Sequence, residues 1–91
     1  MTSNNKKSQK DILAERIGKI LKIRRLEMGI KQREMASILG CSIGQISFYE
    51  TGRNLIPLDV LMEACRVLNY DECDLLKMAK EKLVTRQNVR L

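Results

Sequence analysis

Residues 25–57, RLEMGIKQREMASILGCSIGQISFYETGRNLIP, carry two short helical patterns around a glycine-containing turn. In the first pattern, over residues 31–39, apolar side chains recur at helical spacing until Gly40 interrupts them. Ser42 follows and suits the capping position of a second helix over residues 42–51. The segment therefore predicts two consecutive short helices joined by a tight turn.

The sequence on either side predicts three further helices. Apolar residues at helical spacing over residues 10–28 indicate a long first helix. Pro57 suits the first turn of a fourth helix, and Asn69 can adopt the left-handed conformation that ends it. Asp71 suits the cap of a fifth helix. We therefore expect an all-α fold of five helices.

The chain has 91 residues, a length that suits one domain with a modest core. We expect residues 1–9 to form a flexible basic arm, because they are polar and show no periodicity. Residues 10–84 should form the helical domain, and residues 85–91 a polar, basic tail.

The net charge of +6 is unevenly placed along the chain. Up to Ile56 there are eleven Lys and Arg against five Asp and Glu, whereas from Pro57 onward there are six of each. A basic half favours a polyanion, with nucleic acid ahead of a membrane surface. Charge alone is equally compatible with a basic surface that binds nothing. Together with the paired short helices, it predicts a helix-turn-helix over residues 31–51 that binds double-stranded DNA.

Cysteine and histidine usage excludes several kinds of site. Cys41, Cys65 and Cys73 form no CxxC pair, and the chain has no histidine. A disulfide framework or a metal site is therefore not expected, and free thiols fit a reducing cytoplasm. The polar N-terminal segment lacks the apolar core of a signal peptide, and no apolar run approaches membrane-spanning length. Without a histidine base or a glycine-rich phosphate loop, neither an enzyme nor a cofactor is expected.

The central segment and its flanks resemble the lambda repressor/Cro-like helix-turn-helix family, also called the xenobiotic-response-element family, over roughly residues 15–77. The matching positions are Ile17, Gly18, Arg25, Gly29, Gln32, Glu34, Met35, Ala36, Leu39, Gly40, Ser42, Ile46, Ser47, Tyr49, Glu50, Gly52, Arg53, Pro57, Leu75 and Leu76. The resemblance implies a lambda-repressor-like transcriptional repressor of bacterial, phage or mobile-element origin, although activators of this size occur in the family. The alternative is an interaction protein, such as an antitoxin that neutralises a partner and regulates its own operon.

The third helix is expected to contact DNA bases. If Ile46 and Tyr49 face inward, the opposite face of this helix is exposed. The resemblance places base contacts on that face at Ile43, Gly44, Ser47 and Phe48, with Gln45 meeting a phosphate or a flanking base. Ile43 and Phe48 suit thymine methyl groups, and the alternative is that both pack on the first helix or on a partner protein. Gly44 costs the helix roughly 1 kcal/mol relative to Ala, so either DNA approaches closely there or an exposed face tolerates it.

Phosphate contacts are expected beside this helix. Gln32 lies at the amino end of the second helix, where backbone dipoles favour an anion, and the resemblance assigns it a phosphate. The candidate phosphate-binding residues are Lys31, Gln32, Ser42, Thr51, Arg53 and Asn54. An ordinary solvated surface is the alternative for each of them. The resemblance also implies that Arg25 and Glu50 form an ion pair that joins the first helix to the end of the third.

A symmetric dimer on a palindromic or pseudopalindromic operator is expected, because one helix contacts only a few base pairs. The resemblance places Leu75 and Leu76 of the fifth helix in the core. The residues left to form the dimer interface are Met78, Ala79 and Leu83. Alternatively, Leu83 and Val84 fold back on the first helix near Leu13.

Overall fold

The structure, a computed structural model, describes the backbone of residues 8–88 and the side chains of residues 8–81. Every regular element over residues 8–88 is a helix, which confirms the all-α, five-helix prediction. The helices are α1 (Gln9–Glu27), α2 (Gln32–Leu39), α3 (Ile43–Thr51), α4 (Leu58–Val67) and α5 (Glu72–Asn88). Residues 1–7 of the expected arm and 89–91 of the expected tail lie outside the described part.

The helix boundaries follow from local capping. The hydroxyl oxygen of Ser42 accepts a hydrogen bond from the backbone N–H of Gln45 at 3.0 Å, so Ser42 caps α3. Asn69 has a positive φ of 54° beyond the end of α4, and the Asp71 carboxylate accepts backbone N–H groups at the start of α5. Lys31 offers α2 no side-chain acceptor, and instead the Glu34 carboxylate accepts the backbone N–H of Lys31 at 2.8 Å.

Helix α5 is longer than the sequence analysis predicted. It continues to Asn88, whereas we expected the helical domain to end at Val84. Residues 85–88 contain no glycine or proline, and Arg and Gln are good helix formers. Polarity in this stretch therefore did not indicate the end of the helix.

Each of the five helices contributes one face to the core. Helix α1 packs against α3 and α5, while α2 packs against α3 and α4. The buried residues of this cluster are Ile17, Leu21, Met35, Ala36, Ile46, Tyr49, Ile56, Leu61, Ala64, Cys65, Leu68, Leu75 and Ala79. Aliphatic and small side chains dominate, as expected for a chain with three aromatic residues in total.

Helices α1 and α3 approach each other at backbone distance. A Cβ atom added to Gly18 would lie 2.2 Å from the carbonyl oxygen of Tyr49 and 2.7 Å from that of Glu50. A Cβ atom added to Gly52 would lie 2.6 Å from the Cα of Glu15, and Gly52 has a φ of 83°. Both glycines are therefore required for the contact that fixes the last turn of α3 against α1.

The expected dimer surface on α5 needs correction. Ala79 is 0% exposed and belongs to the core, so the prediction that it is free to meet a partner is wrong. Leu76 is 37% exposed, so the expectation that it accompanies Leu75 in the core is also wrong. Adjacent residues point about 100° apart on a helix, and here Leu75 takes the buried direction. Met78 is exposed, while the side chain of Leu83 lies beyond the side chains described.

Candidate nucleic-acid interface

Helix α3 exposes the face that the sequence analysis predicted. Ile46 and Tyr49 are buried against the core, so the opposite side of the helix faces solvent. The residues on that side are Ile43, Gly44, Ser47 and Phe48, of which Ser47 is half-buried. Gln45 is half-buried at the flank of this face, where it lines the groove described below. A short helix with one face held by the core and one face free has the geometry that the major groove accepts.

Two large apolar side chains stand on this face. Ile43 is 48% exposed and Phe48 is 38% exposed. Neither side chain is therefore buried against the first helix, which was one alternative to base contact. Exposed apolar side chains in such a position suit a contact that removes them from water, with thymine methyl groups or with a partner protein.

The candidate phosphate-binding residues surround α3. Lys31, Ser42, Arg53 and Asn54 are exposed, and Gln32 is half-buried at the first position of α2. The Ser42 hydroxyl oxygen accepts from the Gln45 backbone N–H and keeps its own hydrogen available to a phosphate. Thr51 is also exposed, but its hydroxyl donates to the Ser47 carbonyl at 2.8 Å. Because a hydroxyl has one hydrogen, Thr51 must break this bond to donate to a phosphate.

Arg25 and Glu50 form a buried, two-pronged ion pair. Arg25 Nε donates to Glu50 Oε2 at 2.6 Å, and Arg25 Nη2 donates to Glu50 Oε1 at 3.0 Å. Arg25 Nη1 also donates to the carbonyl oxygen of Ile30, at 2.7 Å. Arg25 is 5% exposed and Glu50 is 8% exposed. The pair joins α1 to the last turn of α3 and to the chain segment that leads into α2.

Gln32 belongs to the same network, which the sequence analysis did not anticipate. Its amide Nε2 donates to Glu50 Oε1 at 3.1 Å. One amide N–H is thereby used, and the second N–H and the amide oxygen remain for another partner. Glu50 therefore orients the amide that we expect to hold a phosphate. No local pattern indicated this contact, because the two residues are 18 positions apart and lie on different helices.

An open polar groove runs beside α3. Lys10, Gln45, Arg53 and Asn54 all line it. Lys10 stands near the start of α1, and the tight contact of α1 with Gly52 brings it to this groove. From the sequence, Lys10 was a weaker candidate for phosphate contact, as one of several basic residues near the N-terminus. The fold thus adds a cation, together with the neighbouring carboxylate of Asp11, to the side of α3 that carries the predicted phosphate-binding residues.

Two other kinds of site, a metal centre and a membrane span, are not found among the described residues. Among them, no group of three or more His, Cys, Asp and Glu side chains could hold a metal ion. None of the helices, as far as the chain is described, is long and apolar enough to cross a membrane. Burial, with the nearby charges of Glu72 and Asp71, raises the pKa of Cys65 to about 11, and burial also raises the pKa of Cys41. Both thiols are therefore protonated at neutral pH.

Comparison with known families agrees with this geometry. The family model HTH_3, described as "Helix-turn-helix", matches residues 21–75, more than half of the chain. The chain belongs to this lambda repressor/Cro-like helix-turn-helix family and is a DNA-binding transcriptional regulator. The matched residues include the C-terminal part of α1 and all of α2, α3 and α4.

Similar solved structures include two of the clp gene regulator ClgR from Corynebacterium glutamicum. One is 31% identical, with a TM-score of 0.69, and the match covers 75% of this chain and 87% of that chain. The other is 27% identical, with a TM-score of 0.73, and covers 86% of this chain and 83% of that chain. Among curated proteins, none matches this chain.

Proposed function

We propose that this regulator is a homodimeric repressor that binds a palindromic or pseudopalindromic DNA operator through α3. The observation that carries the proposal is the exposed face of α3, which a buried ion pair holds in place within the basic half of the chain. We further propose that the protein is bacterial or phage-encoded and acts in the cytoplasm. Homodimerisation supplies two copies of α3 for two half-sites about one helical turn of DNA apart, on the order of 34 Å.

In the proposed complex, α3 lies in the major groove and its exposed residues contact base edges. Ile43 and Phe48 pack on thymine methyl groups, while Ser47 and Gln45 make hydrogen bonds. Gly44 lets the DNA approach the helix backbone. The cations and amides around α3 hold phosphates and fix the register of the helix in the groove. The proposed phosphate-binding residues remain Lys31, Gln32, Ser42, Thr51, Arg53 and Asn54.

The first test compares binding to two duplexes, one selected from a random library and one with the same bases scrambled. Gln32→Ala should weaken binding to both duplexes by the same factor, because a phosphate contact carries no sequence information. Arg53→Ala should weaken binding to both and reduce the slope of log affinity against log salt by about one. Lys80→Ala is the matched control, because Lys80 is an exposed cation on α5. If Arg53→Ala left affinity for the scrambled duplex unchanged, its phosphate role would be wrong.

A second test examines the apolar contacts of α3. Phe48→Ala should relax the preference at one base step and cost on the order of 1–3 kcal/mol there. Replacing the thymine at that step by uracil removes only the methyl group, so wild type should bind the uracil duplex more weakly. Equal affinity for the two duplexes would remove the thymine-methyl explanation.

The exposure of Ile43 and Phe48 also favours a second candidate function. An antitoxin-type protein would cover both side chains with a partner protein and use DNA binding to regulate its own operon. Under this alternative, the uracil duplex binds as well as the thymine duplex. A partner protein encoded by the neighbouring gene would then displace DNA from the wild-type protein. The same partner would bind the Phe48→Ala variant more weakly than wild type.

A further inference from the structure

Phe48 does not stand alone on the exposed face of α3. The guanidinium carbon of Arg53 lies 5.2 Å from the centroid of the Phe48 ring. This distance is within the range in which a cation is attracted to an aromatic face. Arg53 was expected to hold a phosphate and Phe48 to contact a base, yet in the fold the two side chains are partners.

The backbone places these side chains together. Gly52 ends α3 with a φ of 83°, and this reversal allows the backbone N–H of Arg53 to donate to the carbonyl oxygen of Phe48 at 2.9 Å. The close approach of Gly52 to Glu15 of α1 leaves no room for a larger residue at the reversal. Because the turn is fixed by α1, the backbone of Arg53 is held beside Phe48, within reach of its ring.

Stacking leaves the guanidinium able to hold an anion. The group is planar, so one face can cover the ring while the N–H groups around its edge point outward to a phosphate. A cation–π contact at an exposed site is weak, and it strengthens where water is excluded. Binding of this face of α3 to DNA would exclude water from the contact and so strengthen it. The contact also restricts the rotation of a ring that is 38% exposed.

We infer that Arg53 is a positioning residue for base recognition, which holds the Phe48 ring at the orientation in which it meets its base step. This inference rests on the proposed function. Arg53 thereby affects sequence preference through Phe48, in addition to any phosphate that it holds. The two residues act as one unit, so the effects of replacing them should not be additive.

The test is a double-mutant cycle on the discrimination ratio, defined as the affinity for the selected duplex divided by the affinity for a duplex altered at the Phe48 base step. Arg53→Ala should lower this ratio about two- to fivefold, and on the order of thirtyfold if DNA excludes water from the stack. In the Phe48→Leu background, Arg53→Ala should leave the ratio unchanged. In the Phe48→Tyr background, which retains an aromatic ring, Arg53→Ala should lower it again.

Two controls separate positioning from charge. Lys80→Ala removes an exposed cation that lies on α5, and it should leave the ratio at its wild-type value. Arg53→Lys keeps the charge but not the planar group, so it should retain binding to scrambled DNA and lose part of the discrimination. In the free protein, the side-chain protons of Arg53 should show an upfield ring-current shift by NMR that disappears in Phe48→Leu. This readout requires no DNA.

The outcomes distinguish this inference from the proposed function. If wild type discriminates but Arg53→Ala lowers affinity for both duplexes equally, the inference is overturned and the proposed function stands. An additive cycle, in which Arg53→Ala has the same effect with and without the Phe48→Leu replacement, also overturns the inference alone. If wild type does not discriminate between duplexes, both fail. Melting curves of the variants test whether unfolding contributes, and the Tm should change little because both positions are exposed.

Discussion

Replacing Glu50 by alanine should damage folding first and DNA binding as a consequence. The Glu50 carboxylate accepts two hydrogen bonds from the Arg25 guanidinium and one from the Gln32 amide, and Glu50 is 8% exposed. Its removal leaves the Arg25 guanidinium buried, with the carbonyl oxygen of Ile30 as its remaining hydrogen-bond acceptor among the described residues. The cost therefore arises from an uncompensated buried charge rather than from the loss of a favourable pair.

The magnitude follows from the burial of both partners. Breaking a buried pair by removing one member costs about 3–5 kcal/mol, a large share of a stability of about 5–15 kcal/mol. For a domain of this size, each kcal/mol shifts the Tm by roughly 4–8 °C, so Glu50→Ala should lower it by at least about 12 °C. The matched control is Glu63→Ala, which breaks the exposed Arg66–Glu63 pair. Exposed pairs contribute about 0–1 kcal/mol, so the Tm of this control should lie within about 8 °C of wild type.

A double replacement separates the fold from the interface. Exchanging both members of a buried ion pair for apolar residues is often neutral or stabilising, so Arg25→Met combined with Glu50→Leu should recover much of the lost Tm. It should not recover full DNA affinity, because Gln32 still lacks its acceptor. Thermal melts by circular dichroism and binding at a temperature where every variant is folded give the two readouts. The reasoning is refuted if Glu50→Ala melts like Glu63→Ala. A normal Tm with tenfold altered base preference would instead show that Glu50 contacts DNA.

Three other predictions concern different parts of the molecule. Gly44→Ala should stabilise α3 by up to about 1 kcal/mol, since the added Cβ meets only the Ser42 hydroxyl oxygen at 3.9 Å, yet it should weaken DNA binding; unchanged affinity would favour simple tolerance of glycine on an exposed face. Stability should fall between about pH 9 and pH 11 by up to about 3 kcal/mol, because the raised pKa of Cys65 makes the folded state retain a proton that the unfolded state loses; Cys65→Ala should lack this component in urea melts. Sedimentation at micromolar concentration should show a dimer for wild type and a monomer for Leu83→Glu. Two monomers, with and without DNA, would contradict the dimer, and two dimers would place its interface elsewhere.

The exposed face of α3 was predicted from helical periodicity together with the family resemblance. Ile46 and Tyr49 are three positions apart, as are many residues that share a helix face, but Ile43 and Phe48 are also apolar, so the resemblance was needed to decide which residues face inward. Once these two are buried, helical geometry leaves Ile43 and Phe48 on the opposite side. The cap at Ser42 was equally accessible, since capping depends on residues within one turn.

Contacts between distant residues were not accessible in the same way. The resemblance to a known family supplied the Arg25–Glu50 pair, but nothing in the sequence indicated that Gln32 would join it or that Arg53 would cover Phe48. The sequence analysis also predicted the wrong environment for Ala79, which lies on the buried face of α5. Its apolar residues span too wide an arc for periodicity to show which part meets the core, and packing against α1 decides this.

In the proposed DNA complex, the α1–α3 contact and the exposed face of α3 have different roles. Gly18 lets the backbone of α1 touch the carbonyl groups of Tyr49 and Glu50, and this contact buries the Glu50 side chain beside Arg25. Replacements on the α1 side therefore tilt or release α3 as a whole, and they should weaken binding to all sequences together. Replacements on the exposed face leave the angle of α3 unchanged and should alter which sequence is preferred. Arg53 is the exception, because the turn fixed by α1 places it on the ring of Phe48. A replacement that alters the α1–α3 contact at Gly52 should therefore change base preference, because it moves Arg53 relative to the Phe48 ring.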